Sequence, residues 1–147
     1  MAVAAMTEIA FHFNMPDKLH YACRLLRKVY QSGSRARVVG EADTLAALDQ
    51  ALWTFAAQDF IPHCQAGASA ALLAHTPIVL ATTAASQDCD EVLVNLGASV
   101  PEGFEHYARL IELVSQNETD RTGARRRWRH YADGGYAITR HDLAADR

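Results

Sequence analysis

The three cysteines, Cys23, Cys64 and Cys89, are scattered through 147 residues with no CxxC or CxxxC spacing. An odd, dispersed set supports neither a disulfide framework nor a zinc site and points to a reducing compartment. Apolar runs are short as well, and none approaches the roughly 18 residues needed to cross a bilayer. The opening Met1–Met6 is brief and lacks the basic flank of a signal peptide, so a cytoplasmic location is expected. Lysine occurs only at 18 and 28, and neither follows a glycine loop able to cradle phosphate. No GxGxxG follows the first apolar run, and GxSxG and HExxH are missing. The usual signatures of nucleotide binding, serine hydrolysis and zinc proteolysis are therefore absent.

Positive charge is also missing from half the chain. No Lys or Arg lies between Arg37 and Arg109, a stretch with nine acidic residues, and the net charge is −3. That balance argues against a general basic surface for nucleic acid. Half the residues are hydrophobic and 21% are charged, as in ordinary globular proteins, and one domain over 1–147 is expected.

What is present alternates between strands and helices. Ile9–Asn14 alternates in apolar size and stops at Asn-Met-Pro, as a first strand does. Asp17 caps a helix whose stripe is Leu19, Ala22, Cys23, Leu26 and Tyr30, ending near Ser32-Gly33-Ser34. Arg37–Glu41 reads as a second strand, followed by a helix capped at Asp43 with the stripe Leu45, Leu48, Leu52, Phe55. Pro77–Thr82 and Glu91–Leu96 are short apolar runs bounded by turns, the pattern of buried parallel strands. Gly67–His75 is an alanine-rich connection of undefined form. A short helix begins at Pro101, a strand covers Leu110–Val114, and a last long helix runs from Asn117–Thr119 to about Ala132, stopped by Gly134-Gly135. Tyr136–Thr139 is either an edge strand or a docked tail. The fold expected is a three-layer, Rossmann-like α/β domain with a mostly parallel central sheet flanked by helices.

Two small constellations invite a chemical reading and do not sustain it. His63 and Cys64 are adjacent in an extended segment and so point opposite ways; a packed Cys beside a partly exposed His is the simpler account. Asp88-Cys-Asp-Glu91 reads better as an acidic turn before a strand than as a metal site. No catalytic residue, cofactor or metal is expected.

The last helix is different, because Arg121, Arg125, Arg126, Arg127 and Arg129 crowd into nine residues. At about 100° per residue, Ala124, Arg127, Trp128 and Tyr131 share one sector. Arg125 and Arg129 flank Trp128, whereas Arg126 and His130 point away. Three readings are open: a solvated face with Trp128 plugging the core, a phosphate-tracking patch with Trp128 as a stacking platform, or a pocket for an acidic peptide with a free carboxylate. The acidic remainder of the chain and the lack of a matching basic stripe count against the second.

These residues carry a family resemblance. Leu48-Asp-Gln-Ala-Leu-Trp53 with Asp59-Phe-Ile-Pro-His63, and Ala124-Arg-Arg-Arg-Trp-Arg-His-Tyr131 with Gly135-Tyr136, resemble the chi subunit of bacterial DNA polymerase III across essentially the whole chain. The resemblance implies a non-catalytic member of the clamp loader that pairs with the psi subunit, or in some members with a helicase in place of psi. It also implies binding of the acidic, Phe-ended tail of single-stranded DNA-binding protein, so that DNA is reached only indirectly. The tail site carries over to Val114, Arg125, Trp128 and Arg129, with Arg121 or Arg126 meeting the tail's upstream aspartates. The psi surface carries over to Trp53 and Phe60, although the stripe of α-helical leucines makes core burial the rival reading for Trp53. Trp128 stands where the family often has Tyr, Arg129 where Lys is common, and Ala132 where a basic residue is frequent. The alternative is a degenerate Rossmann-like protein that binds a nucleotide or small molecule.

Overall fold

The computed structural model describes residues 6–55, 61–84 and 91–144. From the N-terminus, β1 (Glu8–Met15) leads through α1 (Lys18–Gln31) to β2 (Ala36–Val39), and α2 (Ala42–Thr54) leads to β3 (His63–Gln65). Next come α3 (Ala70–His75), β4 (Ile78–Ala81) and β5 (Val92–Asn95). A 3-10 turn at Phe104–His106 precedes β6 (Arg109–Ser115), α4 (Glu118–Asp133) and β7 (Ile138–Asp142). The strands form one sheet in the order β3-β4-β2-β5-β6-β1-β7, and every described pairing is parallel.

Two cores sandwich that sheet. On one face α1 contributes Ala22, Cys23, Leu25, Leu26 and Val29, and α2 contributes Leu45, Leu48 and Leu52. On the other, Ala124 and Tyr131 of α4 pack with Phe104, Tyr107, Leu110 and Phe11. Because β4 and β5 are covered on both faces, they are apolar on both, and all of their residues are buried. The expected three-layer α/β architecture is what is found.

Several local expectations need correction. The cap of α2 is Glu41, which makes no side-chain cap bond; Asp43 lies in the first turn, where it still faces the positive helix end. Tyr30 is exposed, because the buried stripe of α1 turns toward Val29 as the helix approaches β2. His63 is buried rather than partly exposed, since β3 pairs with β4 and the Trp53 ring lies edge-on to it at 5.1 Å. The alanine-rich connection contains α3, capped by the Ser69 hydroxyl; none of its residues is buried, so it carries no apolar stripe to read. Tyr136–Thr139 leads into β7, an edge strand beside β1.

The end of β1 shapes both sides of the sheet. Ile9, Phe11 and Phe13 face α4, and regular alternation would place Met15 with them. Instead Asn14 adopts φ 70°, the pairing register shifts between Phe13 and Met15, and Met15 joins the opposite core. Asparagine is among the few non-glycine residues that tolerate the left-handed conformation, and here its side-chain amide donates across to Asp142 Oδ1 of β7 at 2.8 Å.

Candidate functional site

α4 is anchored at its start and along its buried face. The Asn117 side chain accepts the Asp120 N–H at 3.2 Å, and Asp120 in turn accepts from Ser115 N at 2.8 Å and from Lys18 Nζ at 3.1 Å. Burial works against the Asp120 charge, but the Ser115 amide and the Lys18 ammonium outweigh it and hold the carboxyl below its ordinary value. A depressed folded-state pKa gives stability that is present above the unfolded value near 3.9 and is lost as pH falls through the lower folded one. Asp120→Asn is therefore expected to destabilise by about 1 kcal/mol at pH 7 and by much less near pH 3, as read by urea unfolding at both pH values. An equal loss at both would show that the charge contributes nothing.

Beneath α4 is a buried polar network. Glu112 is fully buried in β6; its Oε1 accepts Arg127 Nε at 2.9 Å, and its Oε2 accepts the Tyr131 hydroxyl at 2.5 Å. Asn95 Nδ2 donates to both oxygens, and Arg127 Nη1 donates to the Ala98 carbonyl at 3.0 Å. Burial raises the Glu112 pKa, while the Arg127 charge and the Tyr131 and Asn95 hydrogen bonds pull against it. Tyr131 is pushed up by burial and by Glu112, so it stays a donor. Gly123 makes room for this pair: a Cβ there would lie 3.2 Å from Arg127 Nη1. A glycine that weakens the helix is thus explained by the guanidinium beside it.

The opposite flank of α4 borders a groove of about 620 Å3. Val114, Arg125, Trp128 and Arg129, the four residues carried over as a tail site, all line it, and so do Arg121 and Ala132. Arg126 does not. The floor is aromatic, with the Trp128 ring 5.0 Å from Phe11 and Phe13 nearby. Arg140 of β7 completes the rim, its guanidinium 5.3 Å from the Phe13 ring centre and 5.9 Å from that of Trp128. Sequence reasoning missed Phe11 and Phe13, which meet Trp128 because α4 packs over β1, and Arg140, which is brought there by the β1–β7 pairing. Arg125 and Arg121 reach Glu118 at 3.5 and 4.0 Å, and such exposed pairs contribute little and leave both guanidiniums able to exchange partners. Chemically this is an apolar slot ringed by four guanidiniums.

The other predicted surface is only partly described. Trp53 is 58% exposed, which rules out the core reading for it. Below it, His63 Nε2 is 3.0 Å from Asp49 Oδ1 and its Nδ1 is 2.7 Å from the Ile61 carbonyl. Phe60 lies outside the described residues, as does most of the Asp88–Glu91 run. At the carboxyl ends of β2, β4 and β5 there is a cavity of about 890 Å3, the usual ligand position of an open α/β sheet. Among the described residues its carboxylates are Glu41 and Glu102 and its lining holds no Lys or Arg, so a nucleotide phosphate would meet carboxylates. Among the described residues, no helix is long and apolar enough to cross a membrane.

Comparison with known proteins agrees with the motifs. Residues 6–139 match the family model described as DNA polymerase III chi subunit, HolC. The chain is 29% identical to DNA polymerase III subunit chi of Pseudomonas aeruginosa over 127 residues, covering 86% of this chain and 87% of that one. It is 23% identical to the Haemophilus influenzae subunit of the same name over 120 residues, covering 80% and 82%. Because the family model spans most of its length, the chain belongs to the DNA polymerase III chi subunit family.

Proposed function

We propose that this protein is a non-catalytic accessory subunit of the replicative polymerase that holds the acidic, Phe-ended tail of single-stranded DNA-binding protein in the α4 groove. One observation supports this above the others: an aromatic and aliphatic floor is ringed by Arg121, Arg125, Arg129 and Arg140. The tail's terminal carboxylate pairs with Arg125 and Arg129, its Phe ring rests on Trp128 and Val114, and its aspartates meet Arg121. Two charge-assisted hydrogen bonds of roughly 1.5–3 kcal/mol each, plus a buried ring, bring affinity to about micromolar. Salt screens such contacts, which suits a tether that must release.

Calorimetric titration with a Phe-ended acidic peptide tests the reading, with the C-terminally amidated peptide as comparison. The free-acid peptide is expected to bind about tenfold or more tightly, and equal binding by the two would refute carboxylate recognition.

The psi subunit, or a helicase in its place, docks on the Trp53 surface in this reading. Trp53 is exposed, so Trp53→Ala is expected to cost less than about 1 kcal/mol of stability. It should nonetheless lose co-purification with psi while titrating the tail peptide normally. Retention of psi by that variant would remove Trp53 from the interface.

A further inference from the structure

The sequence shows no second arginine run, but the fold builds a second cationic surface from α1. That helix carries Lys18, Arg24, Arg27 and Lys28 with no acidic residue between its ends. Lys18 is paired with Asp120 and so faces α4. Arg24 and Lys28 are exposed, and neither has an acidic partner within salt-bridge distance among the described residues. Both border a groove of about 610 Å3 between α1 and the β1–β7 edge, on the side of the sheet away from the α4 groove. The two grooves share no lining residue.

This groove is lined by rings that carry nitrogen or hydroxyl, His12, His20, Tyr21 and His141, together with the apolar Met15, Pro16, Leu25 and Leu143. His12 lies 4.5 Å from the His141 ring centre and 5.7 Å from that of Tyr21, and its Nδ1 is 2.5 Å from the Tyr21 hydroxyl. The one carboxylate in the lining, Asp17, is engaged as the α1 cap, accepting His20 N at 3.0 Å. Arg24 and Lys28 stand one turn apart, about 6 Å along the helix axis, a separation that lets them serve neighbouring phosphates. His12 is held down to about 4 by burial first and then by His141, Arg109 and Lys28.

We infer that the groove between α1 and the β1–β7 edge binds single-stranded nucleic acid, with Arg24 and Lys28 on adjacent phosphates and a base against the His141–His12 rings. Flat polar rings beneath a cationic rim suit a nucleotide, because every base offers a π-face and every linkage a charge. An acidic peptide would find two cations here, Arg24 and Lys28, against the four guanidiniums around the α4 groove. The contact is weak alone. It gains from tethering, since a protein held near coated template sees the strand at high effective concentration. This inference uses none of the residues assigned to the peptide, so either reading can fail without the other.

The test is fluorescence anisotropy of labelled oligothymidylate on the full chain, beside a parallel titration of the acidic peptide. Binding is expected at about 20 mM salt and should weaken with a log–log slope near −1.4, the value for two phosphates on a single strand. The double variant Arg24→Glu/Lys28→Glu should bind the oligonucleotide at least about tenfold more weakly while binding the peptide as before. The milder Arg24→Gln/Lys28→Gln pair serves if charge reversal perturbs the circular dichroism or melting temperature. No binding at low salt, undiminished binding by the double variants, or loss of the peptide instead of the oligonucleotide would each overturn the inference. The last of these would assign the groove to an acidic protein partner.

Discussion

Arg127→Ala is expected to destabilise the protein by about 3–5 kcal/mol, because it strands a fully buried carboxylate. In a chain of this size that is a fall in melting temperature on the order of 10 °C. Arg127 is only 2% exposed, and its ε-nitrogen and one terminal nitrogen bind Glu112 and the Ala98 carbonyl across the core. No other cation is within salt-bridge distance of Glu112 among the described residues. The loss should also depend on pH. Burial already raises the Glu112 pKa, and without Arg127 the main opposing charge is gone. A carboxyl whose folded-state pKa lies above the unfolded value near 4.3 takes stability away as pH climbs. The variant should therefore be closest to wild type near pH 4–5 and furthest from it near pH 8. Urea unfolding across that range gives both numbers. A cost below about 1 kcal/mol at pH 8 would mean that water or backbone replaces the guanidinium.

A companion variant separates the ion pair from simple packing. In Glu112→Leu/Arg127→Met both charges leave together, and apolar side chains of similar volume remain. Replacing a buried pair in this way is often neutral, so the double variant should recover most of the lost stability. The recovery is incomplete, because the Tyr131 hydroxyl and Asn95 amide lose their acceptor. A double variant as unstable as Arg127→Ala would place the cost in side-chain shape rather than in charge.

The same pair shows where sequence patterns stop being informative. The sheet strands and the α1, α2 and α4 helices declare themselves through period, caps and glycine stops, since burial of one face leaves a trace in residue order. Glu112 is the single charged residue inside Leu110–Val114, and Arg127 shares a helical sector with Ala124 and Tyr131. Each is visible, but their partnership depends on how α4 lies across β6, which neither pattern encodes. The groove follows the same rule. Arg125, Trp128 and Arg129 could be grouped from helical geometry alone, and Val114 only through the family resemblance. Phe13 and Arg140 are more than 120 residues apart in sequence and meet through the β1–β7 pairing. Conversely α3, with no buried residue, and β3, three residues long, left too little periodicity to read.

Arg129→Ala is expected to weaken binding of the Phe-ended acidic peptide by roughly 10- to 100-fold, the worth of one charge-assisted hydrogen bond of about 1.5–3 kcal/mol. Stability should move by no more than about 0.5 kcal/mol, since Arg129 is exposed and has no acidic partner among the described residues. The decisive comparison is Arg126→Ala. That change removes the same charge from the same helix, three residues away, but Arg126 does not line the groove. If the peptide answers only to a positive field, the two variants lose affinity equally, because a screened potential does not distinguish neighbours well within a Debye length of about 8–10 Å. If it is held in a shaped site, Arg126→Ala costs no more than about threefold while Arg129→Ala costs the full 10- to 100-fold, because directional hydrogen bonding rather than net charge sets the loss. Trp128→Ala adds the apolar half: its ring covers Phe11 and underlies Arg140, so truncation removes the floor and loosens the rim together. A Trp128→Ala variant that bound like wild type, with Arg126→Ala and Arg129→Ala equally weak, would leave a diffuse basic patch and no pocket.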